Sequence, residues 1–350
     1  MSTGSTPSGR PRLVDVAARA GVSTATASLV LRGRPGPSAT SRDAVHAAAS
    51  DLGYRPDRTA SLLARRRTHL LGVLLDVTSP FHAELVRALD TASADRGLDL
   101  VLGTTTARTG EHRAAETLLD FRCEALVLLG PQMTDSDLNA LATQCPTVAV
   151  GRAGTAGVTG VLAADDQGLE AAVDHLASLG HDRISFVDGP RGSIARARRE
   201  GYREAMRRHG YGVGADVLRG GVTEADGAAA AQRLLSRPAA GRPTAVVAYN
   251  DRVAIGLRDA LLRVAVRVPE DVSVVGYDDS PIARLGTIDL TSVSQEPEAL
   301  ADATVAVVAT LLEAGPDERV ADVVIPPRLV VRSSTGPTAW SRVENTPRGP

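Results

Sequence analysis

Apolar residues at Leu13, Val16, Ala17 and Ala20 fall on the i, i+3, i+4, i+7 positions of one helix face, and Gly21 follows where a helix stop needs a residue tolerant of positive φ. The spacing predicts a helix over residues 12–20. Ser23 then supplies a side-chain oxygen to cap a second helix over 24–31, which Arg32 and Gly33 end. A looser stretch, 34–37, leads to a third: Ser38 or Ser41 caps it, Val45, Ala48, Ala49 and Leu52 form its inner face, and Gly53 stops it. Ala17 and Gly21 are small where the first two helices approach, and Val16, Val22, Ala27 and Val30 are the expected shared core. Two short helices joined by a turn containing Gly form the helix-turn-helix, whose second helix lies in the major groove of DNA. A three-helix module that touches no nucleic acid is the alternative. At about 55 residues this head buries little surface and is expected to be only marginally stable alone.

From Leu70 onward the pattern changes to apolar runs alternating with helical periodicity. The predicted strands are 70–75, 99–103, 125–129 and 147–150, then 184–188, 245–249 and 272–277; stretches such as 83–96 and 170–179 are predicted helices. Near-continuous apolar strands alternating with helices argue for parallel sheets covered on both faces. Two such halves predict two lobes with a ligand between them, outside the C-terminal ends of the strands. A helix over 298–314 is expected to return to the first lobe, so the lobes exchange chain more than once. After Arg332 the sequence is polar, rich in Pro and Gly and free of heptads, which argues against a C-terminal coiled coil.

Composition adds three points. A length of 350 residues, with 43% hydrophobic and 23% charged, fits a globular chain of two or three units. No apolar run reaches the roughly 18 residues of a membrane span, and residues 1–9 lack the basic-then-apolar profile of a secretory signal. A cytoplasmic protein without membrane contact is expected. Cys123 and Cys145 are too few for a disulfide framework and lack metal-ligand spacing, so reduced core thiols are expected. The net charge of −2 conceals an asymmetry: up to His69, eleven arginines face four aspartates, a head of +7 on a body of −9. A basic head fits a nucleic-acid contact, or else a solvated tail.

Enzyme motifs are missing. Gly151, Gly154 and Gly157 follow a predicted strand, but G-x-x-G-x-x-G is not the dinucleotide fingerprint and no helix is predicted after it. No P-loop, H-E-x-x-H or G-x-S-x-G occurs, and no spacing assembles an acid–base pair or a triad. No catalytic residue, metal or cofactor is assigned. A sugar-modifying or nicotinamide-dependent enzyme remains the rival class, as does an exported sugar-binding protein.

The run LVDVAARAGVSTATASLVLRG resembles the opening of LacI-family repressors of the lactose- and purine-repressor type, which begin D-V-A-x-x-A-G-V-S and continue T-x-S-x-x-L-x-G. SATSRDAVHAAASDLGYRPDRTASLLARRRT resembles the family's third helix, its L-G-Y-x-P-N-like turn and its hinge helix. In the body SPFHAELVRALD, HLASLGHDRISFVDGP, RREGYREAM, PTAVVAYND, VPEDVSVVGYDD, LTSVSQ and IPPRLVVRSS follow in family order. The resemblance implies an all-α helix-turn-helix head plus an α/β, periplasmic-binding-protein-like body of two Rossmann-like lobes. It divides the chain into a disordered N-terminal tail (1–9), a DNA-binding domain (10–56), a hinge helix (57–67), an effector-binding and dimerisation domain (68–334) and a flexible C-terminal tail (335–350).

It also implies roles. Leu13 belongs to the DNA-contacting set, and Thr24 and Ala25 open the recognition helix against base edges. Leu29 stands where many members carry a base-reading Arg; an apolar contact, such as with a thymine methyl, then replaces a bidentate guanine pair. Ser23, Thr26, Ser38, Ser41, Arg42 and Tyr54 fall where the family contacts phosphate, contacts that position without reading sequence. Arg58, Ala60 and Leu63 fall in the hinge, Leu63 at the position that wedges into the minor groove; a linker helix is the alternative there. Effector contacts map onto Ser79, Phe81 and His82, then Arg198, Asn250, Asp278 and Gln295. Arg198 would bring donors, Asp278 and Asn250 acceptors, and Phe81 a stacking face, a set suited to sugar hydroxyls. For each of these residues local capping or pairing is the alternative role. Members open the helix before H-L with Asp-Asn or Asp-Asp four residues before a Gly; here Ala164 and Asp165 precede Gly168, and a ligand role for Asp165 stays open. The implied protein is a homodimeric, non-catalytic transcription regulator, a repressor on operator DNA controlled by a small polar effector such as a sugar.

Overall fold

The structure, a computed structural model, describes residues 11–54, 67–106, 108–212, 215–314 and 320–338 and divides into two compact units, Met1–Thr68 and His69–Pro350. In the first, α1 (Leu13–Ala20), α2 (Thr24–Leu31) and α3 (Ala39–Asp51) pack around Val16, Ala17, Ala27, Val30, Val45, Ala48 and Ala49. Arg12 is the N-cap of α1 rather than its first turn, and its backbone N–H donates to the Asp15 carboxylate at 2.7 Å. Ser23 Oγ accepts from Thr26 N at 3.1 Å and Ser38 Oγ from Ser41 N at 3.2 Å, so Ser38 is the cap of α3. Gly21 sits at φ 65°, the left-handed conformation that ends α1 without a Cβ penalty. The chain bends by 103° between α1 and α2, within the range of a DNA-reading helix pair.

The second unit holds two six-stranded sheets. The first lobe contains β1 (Leu70–Asp76), β2 (Asp99–Thr105), β3 (Ala125–Leu129), β4 (Thr147–Val150), β5 (Thr159–Ala163) and, last in the chain, β11 (Val323–Ile325), in the spatial order β11-β5-β4-β3-β1-β2 and parallel throughout. The second contains β6 (Ile184–Val187), β7 (Asp216–Leu218), β8 (Ala245–Ala248), β9 (Ser273–Tyr277), β10 (Thr291–Ser294) and β12 (Arg328–Val330), ordered β12-β10-β9-β8-β6-β7, with β12 alone antiparallel. In the first lobe α4 (Pro80–Ala94), α5 (Glu111–Asp120), α6 (Asp135–Ala142) and α11 (Pro297–Ala314) cover the sheet. In the second, α7 (Asp165–Ser178), α8 (Ser193–Arg208), α9 (Glu224–Leu235) and α10 (Asp251–Leu262) do so. The chain passes between the lobes before α7, before α11 and between β11 and β12. Helix α11 returns to the first core through Leu300, Ala301, Val305, Val307 and Val308, as its periodicity predicts.

Five strands escaped the sequence pattern: β5, β7, β10, β11 and β12. The segment of β10, Thr-Ser-Val-Ser, reads as a polar loop but is wholly buried. Its hydroxyls are satisfied by distant segments, with Thr291 Oγ1 donating to Arg332 O at 3.0 Å and Ser292 Oγ to Asp251 Oδ1 at 2.6 Å. The glycines after β4 lead into β5 rather than a helix. The expected tail boundary at 335 lies too early. His175 Nε2 meets Thr335 Oγ1 at 3.0 Å, His181 Nε2–H donates to Gly336 O at 3.0 Å, and Thr338 N to Leu179 O at 3.2 Å. Cys123 and Cys145 are buried free thiols, pushed by that burial up to about 11 and about 12. Among the described residues no single helix is long and apolar enough to cross a membrane.

Candidate effector cavity and DNA-reading face

A cavity of about 730 Å³ opens at the C-terminal strand ends of both lobes, and all seven residues singled out as effector contacts line it: Ser79, Phe81, His82, Arg198, Asn250, Asp278 and Gln295. The geometry gives them unequal roles. Ser79 caps α4, its Oγ accepting from His82 N at 3.3 Å. Asn250 caps α10: Oδ1 accepts from Val253 N at 2.9 Å and Nδ2 donates to Val222 O at 3.2 Å. For these two, local capping and lining the cavity coincide. Each keeps one unused lone pair and one proton.

His82 is set by the strand before it. Its Nδ1 accepts from the Asp76 backbone N–H at 3.1 Å, so in the neutral ring the proton sits on Nε2. Burial, opposed by the charge of Asp76, lowers its pKa to about 4, and the ring is a fixed neutral donor at Nε2.

Arg198, on α8, is the centre of the site. Its guanidinium stands over two rings, the Tyr277 centroid 3.6 Å and the Tyr249 centroid 4.7 Å from Cζ. Nε donates to Asp165 Oδ1 at 2.8 Å, Nη1 donates to Tyr249 O, and Nη2 stands 4.0 Å from Asp278 Oδ1. Burial works against the charge, but Asp165, the two tyrosines and Asp278 outweigh it and hold the pKa above the ordinary value. Two of the donors expected for a ligand are therefore taken by Asp165 and Tyr249, and Nη2 is the edge left to offer. Asp165 thus has its place: it neutralises Arg198 from the first turn of α7 and lines the cavity.

Asp278 follows β9 at φ 105° and Asp279 at φ 49°, a run of left-handed conformations that non-glycine residues adopt only when the surroundings impose it. Gln295 Nε2 donates to Asp278 Oδ1 at 2.6 Å, which ties the ends of β9 and β10 together. Burial raises the Asp278 carboxyl to about 7, with Arg198 and Gln295 opposing the rise and Asp251 adding to it. Asp251, beneath it at the start of α10, is likewise raised by burial, to about 6. Sequence reasoning missed the flanking tyrosines, although each ends a predicted strand, and missed Arg252. That residue grips Glu224 through Nε and Nη2 at 2.8 and 2.7 Å and donates from Nη1 across the lobes to Thr78 O at 2.9 Å.

In the head, Thr24, Ala25 and Leu29 are exposed on α2, opposite the buried Ala27 and Val30. Ser23 and Thr26 share a hydroxyl contact at 2.8 Å, and Ser38 and Ser41 one at 3.0 Å, at the starts of their helices. Arg42 donates to Arg34 O at 3.0 Å, while Leu13 and Tyr54 are partly buried against the head core. Arg58, Ala60 and Leu63 lie outside the described residues. Among the described residues no group of three His, Cys, Asp or Glu side chains could hold a metal.

Residues 12–57 match the family described as "Bacterial regulatory proteins, lacI family", and 173–335 match a periplasmic binding protein-like domain. The ribose operon repressor of Escherichia coli (strain K12) is 36% identical over 296 residues, spanning 82% of this chain and 89% of that one. The chain belongs to the lacI family of bacterial regulatory proteins. A solved LacI transcriptional regulator from Rhodococcus is 41% identical, with a TM-score of 0.74 over 77% of this chain and 98% of that one. The Lac repressor dimer bound to operator and the anti-inducer ONPF is 27% identical, with a TM-score of 0.77 over 94% and 100%. As a lacI-family member the chain is a DNA-binding transcription regulator, with a helix-turn-helix head and a two-lobed α/β body. Its relatives here are regulators, not enzymes.

Proposed function

We propose that this lacI-family protein is a cytoplasmic, homodimeric repressor that performs no catalysis and whose hold on operator DNA is set by a neutral sugar in the cavity. One observation carries this reading: a stacked, neutralised Arg198 beside Asp278, His82 and Gln295, at strand ends drawn from both lobes. Such a set offers donors and acceptors at fixed angles and a ring face at Phe81, which matches a polyhydroxylated ring. The contacts of Arg252 with Thr78 and of Arg284 Nη2 with Glu84 Oε2 at 3.2 Å already bridge the lobes, so a ligand that prefers one lobe arrangement shifts the equilibrium between them. Coupling of about 1–3 kcal/mol would change operator affinity by roughly 5–150-fold.

On the DNA side, Thr24, Ala25 and Leu29 of α2 would meet base edges, and Ser23, Thr26, Ser38, Ser41, Arg42 and Tyr54 the phosphates, with Leu13 beside them. The hinge residues Arg58, Ala60 and Leu63 would complete the contact, Leu63 as the minor-groove wedge. The deciding experiment is fluorescence anisotropy of the purified chain on the DNA upstream of its own gene, over a salt series, with and without neutral sugars. Salt-sensitive, sequence-selective binding that a sugar modulates is expected. Binding that no duplex sequence improves, or tight dinucleotide binding with turnover, would reject the reading.

A further inference from the structure

Behind the cavity wall, one buried carboxylate holds the turn that carries Asp278. Asp251 opens α10, is fully buried and is not among the residues that line the cavity. Its Oδ2 accepts from Ser280 N and its Oδ1 from Ser292 Oγ, both at 2.6 Å. The Ser292 hydroxyl, on β10, in turn accepts from Asp279 N at 3.0 Å. Asp251 fixes the direction of that relay: with its one proton committed to the carboxylate, the hydroxyl can only accept from the turn. The carboxylate lies so close to β9 that a Cβ on Gly276 would stand 2.2 Å from Oδ1. Segments from β9, β10 and α10 thus meet at a single side chain.

The turn so held is 278–280, and it begins with the left-handed Asp278 and Asp279. Two successive non-glycine residues persist in that conformation only where surrounding contacts impose it, and the bonds to Ser280 N and Asp279 N are such contacts. The turn sends its two carboxylates to different places. Asp278 lines the cavity, bonded to Gln295 Nε2 at 2.6 Å and 4.0 Å from Arg198 Nη2. Asp279 pairs with Arg332 Nη2 at 2.7 Å and with Arg284 Nε at 3.3 Å, and Arg284 Nη2 reaches Glu84 of the first lobe at 3.2 Å. One clamped turn therefore carries a cavity-side acid and a bridge-side acid on adjacent residues.

We propose that Asp251 and Ser292 are positioning residues of the effector site: they touch no ligand, but they hold the 278–280 turn so that what Asp278 binds is passed through Asp279 to the Arg284–Glu84 bridge between the lobes. This rests on the sugar-controlled reading above and adds the route by which the cavity reaches the lobes. The first test is urea unfolding of the full chain in a double-mutant cycle of Ser292→Ala with Arg284→Ala. Arg237→Ala is the control; its partner Asp216, at 2.6 Å, lies on β7 at the far edge of the same sheet. Without the clamp Asp279 no longer meets Arg284, so the loss in folding equilibrium constant on Arg284→Ala should be smaller by about threefold in the Ser292→Ala background. Arg237→Ala should cost the same in both backgrounds. Additive effects of Ser292→Ala and Arg284→Ala overturn the proposal. The second test is calorimetry with a panel of neutral sugars, well below the melting temperature of each variant. Ser292→Ala should weaken the sugar that binds wild type most tightly by about tenfold. Asp251→Asn, whose carboxamide can accept from Ser280 N and donate to Ser292 Oγ, should bind it within about threefold of wild type. A hydroxyl with a merely structural role would lower the melting temperature and leave sugar affinity unchanged, and that result also overturns the proposal. If no sugar binds the wild type, the sugar reading falls, and the unfolding cycle alone decides whether the clamp carries the bridge.

Discussion

At the residue scale the cavity depends on one neutralised cation and on groups whose protonation the fold has moved. Replacing Arg198 by Ala leaves Asp165 buried without its partner, which costs about 3–5 kcal/mol in comparable pairs. Arg198→Ala is therefore expected to lower the melting temperature of the body and to abolish sugar binding by calorimetry; a variant that still binds sugar like the wild type would remove Arg198 from the site. The histidines give a pH prediction. The folded-state pKa of His82, about 4, lies below its ordinary 6.5, so its contribution to stability is fully present above 6.5 and is lost as pH falls from there toward 4. Asp278 and Asp251, raised to about 7 and about 6, act in the opposite sense: their contribution is full below 3.8 and is lost as pH rises toward those values. Comparing wild type with His82→Gln isolates the first effect. Urea unfolding from pH 7.5 to 4.5 should show the wild type losing about 1 kcal/mol per pH unit relative to the variant below 6.5.

At the scale of elements, packing and not propensity sets how tightly helices lie together. α9 and α10 approach so closely that a Cβ on Gly256 would stand 1.9 Å from Glu224 O, and one on Gly227 2.1 Å from Val253 O. Backbone cannot yield as a side-chain tip can, so Gly256→Ala is expected to cost about 1–3 kcal/mol or more, read from thermal melts of the body. Nothing in the sequence distinguishes these glycines from those in turns. In the head, by contrast, local signals suffice: the caps at Ser23 and Ser38 and the stop at Gly21 are where the residue types require them. Leu29 is exposed on α2 and offers only apolar contact, so Leu29→Arg is expected to shift base preference toward guanine by about 1–3 kcal/mol. Operator selection from a randomised duplex pool checks this, and an unchanged preference would remove Leu29 from the reading face.

For the whole molecule, the lobes of the body communicate through a few polar contacts. Arg252 reaches Thr78 O, and Arg284 joins Glu84 of α4 to Asp279 of the second lobe, Nε–Oδ2 3.3 Å, next to the cavity-lining Asp278. Each arginine ties one lobe to the other, so Arg252→Ala with Arg284→Ala is expected to weaken effector affinity by roughly three- to tenfold and, because Glu84 and Asp279 are largely buried, to lower the melting temperature as well. Calorimetry and melts on the same sample check both halves. Much of this organisation was legible beforehand, because it depends on short-range pattern: the three head helices, seven strands of near-continuous apolar residues, and the charge contrast between head and body. The seven cavity residues were found from motif resemblance, and the fold brings them together. What pattern could not show is anything whose cause lies in a distant segment. β10 is polar in sequence and buried only because Asp251 and Arg332 accept its hydroxyl protons. Asp165 looks like an ordinary helix-opening acid until α8 brings Arg198 to it. The sequence alone settled the three head helices and the seven apolar strands, since neighbouring side chains fix backbone preference and amphipathic face. Only the tertiary structure decided which polar groups are spent on partners and which remain for a ligand, because hydrogen-bond capacity is shared between residues far apart along the chain.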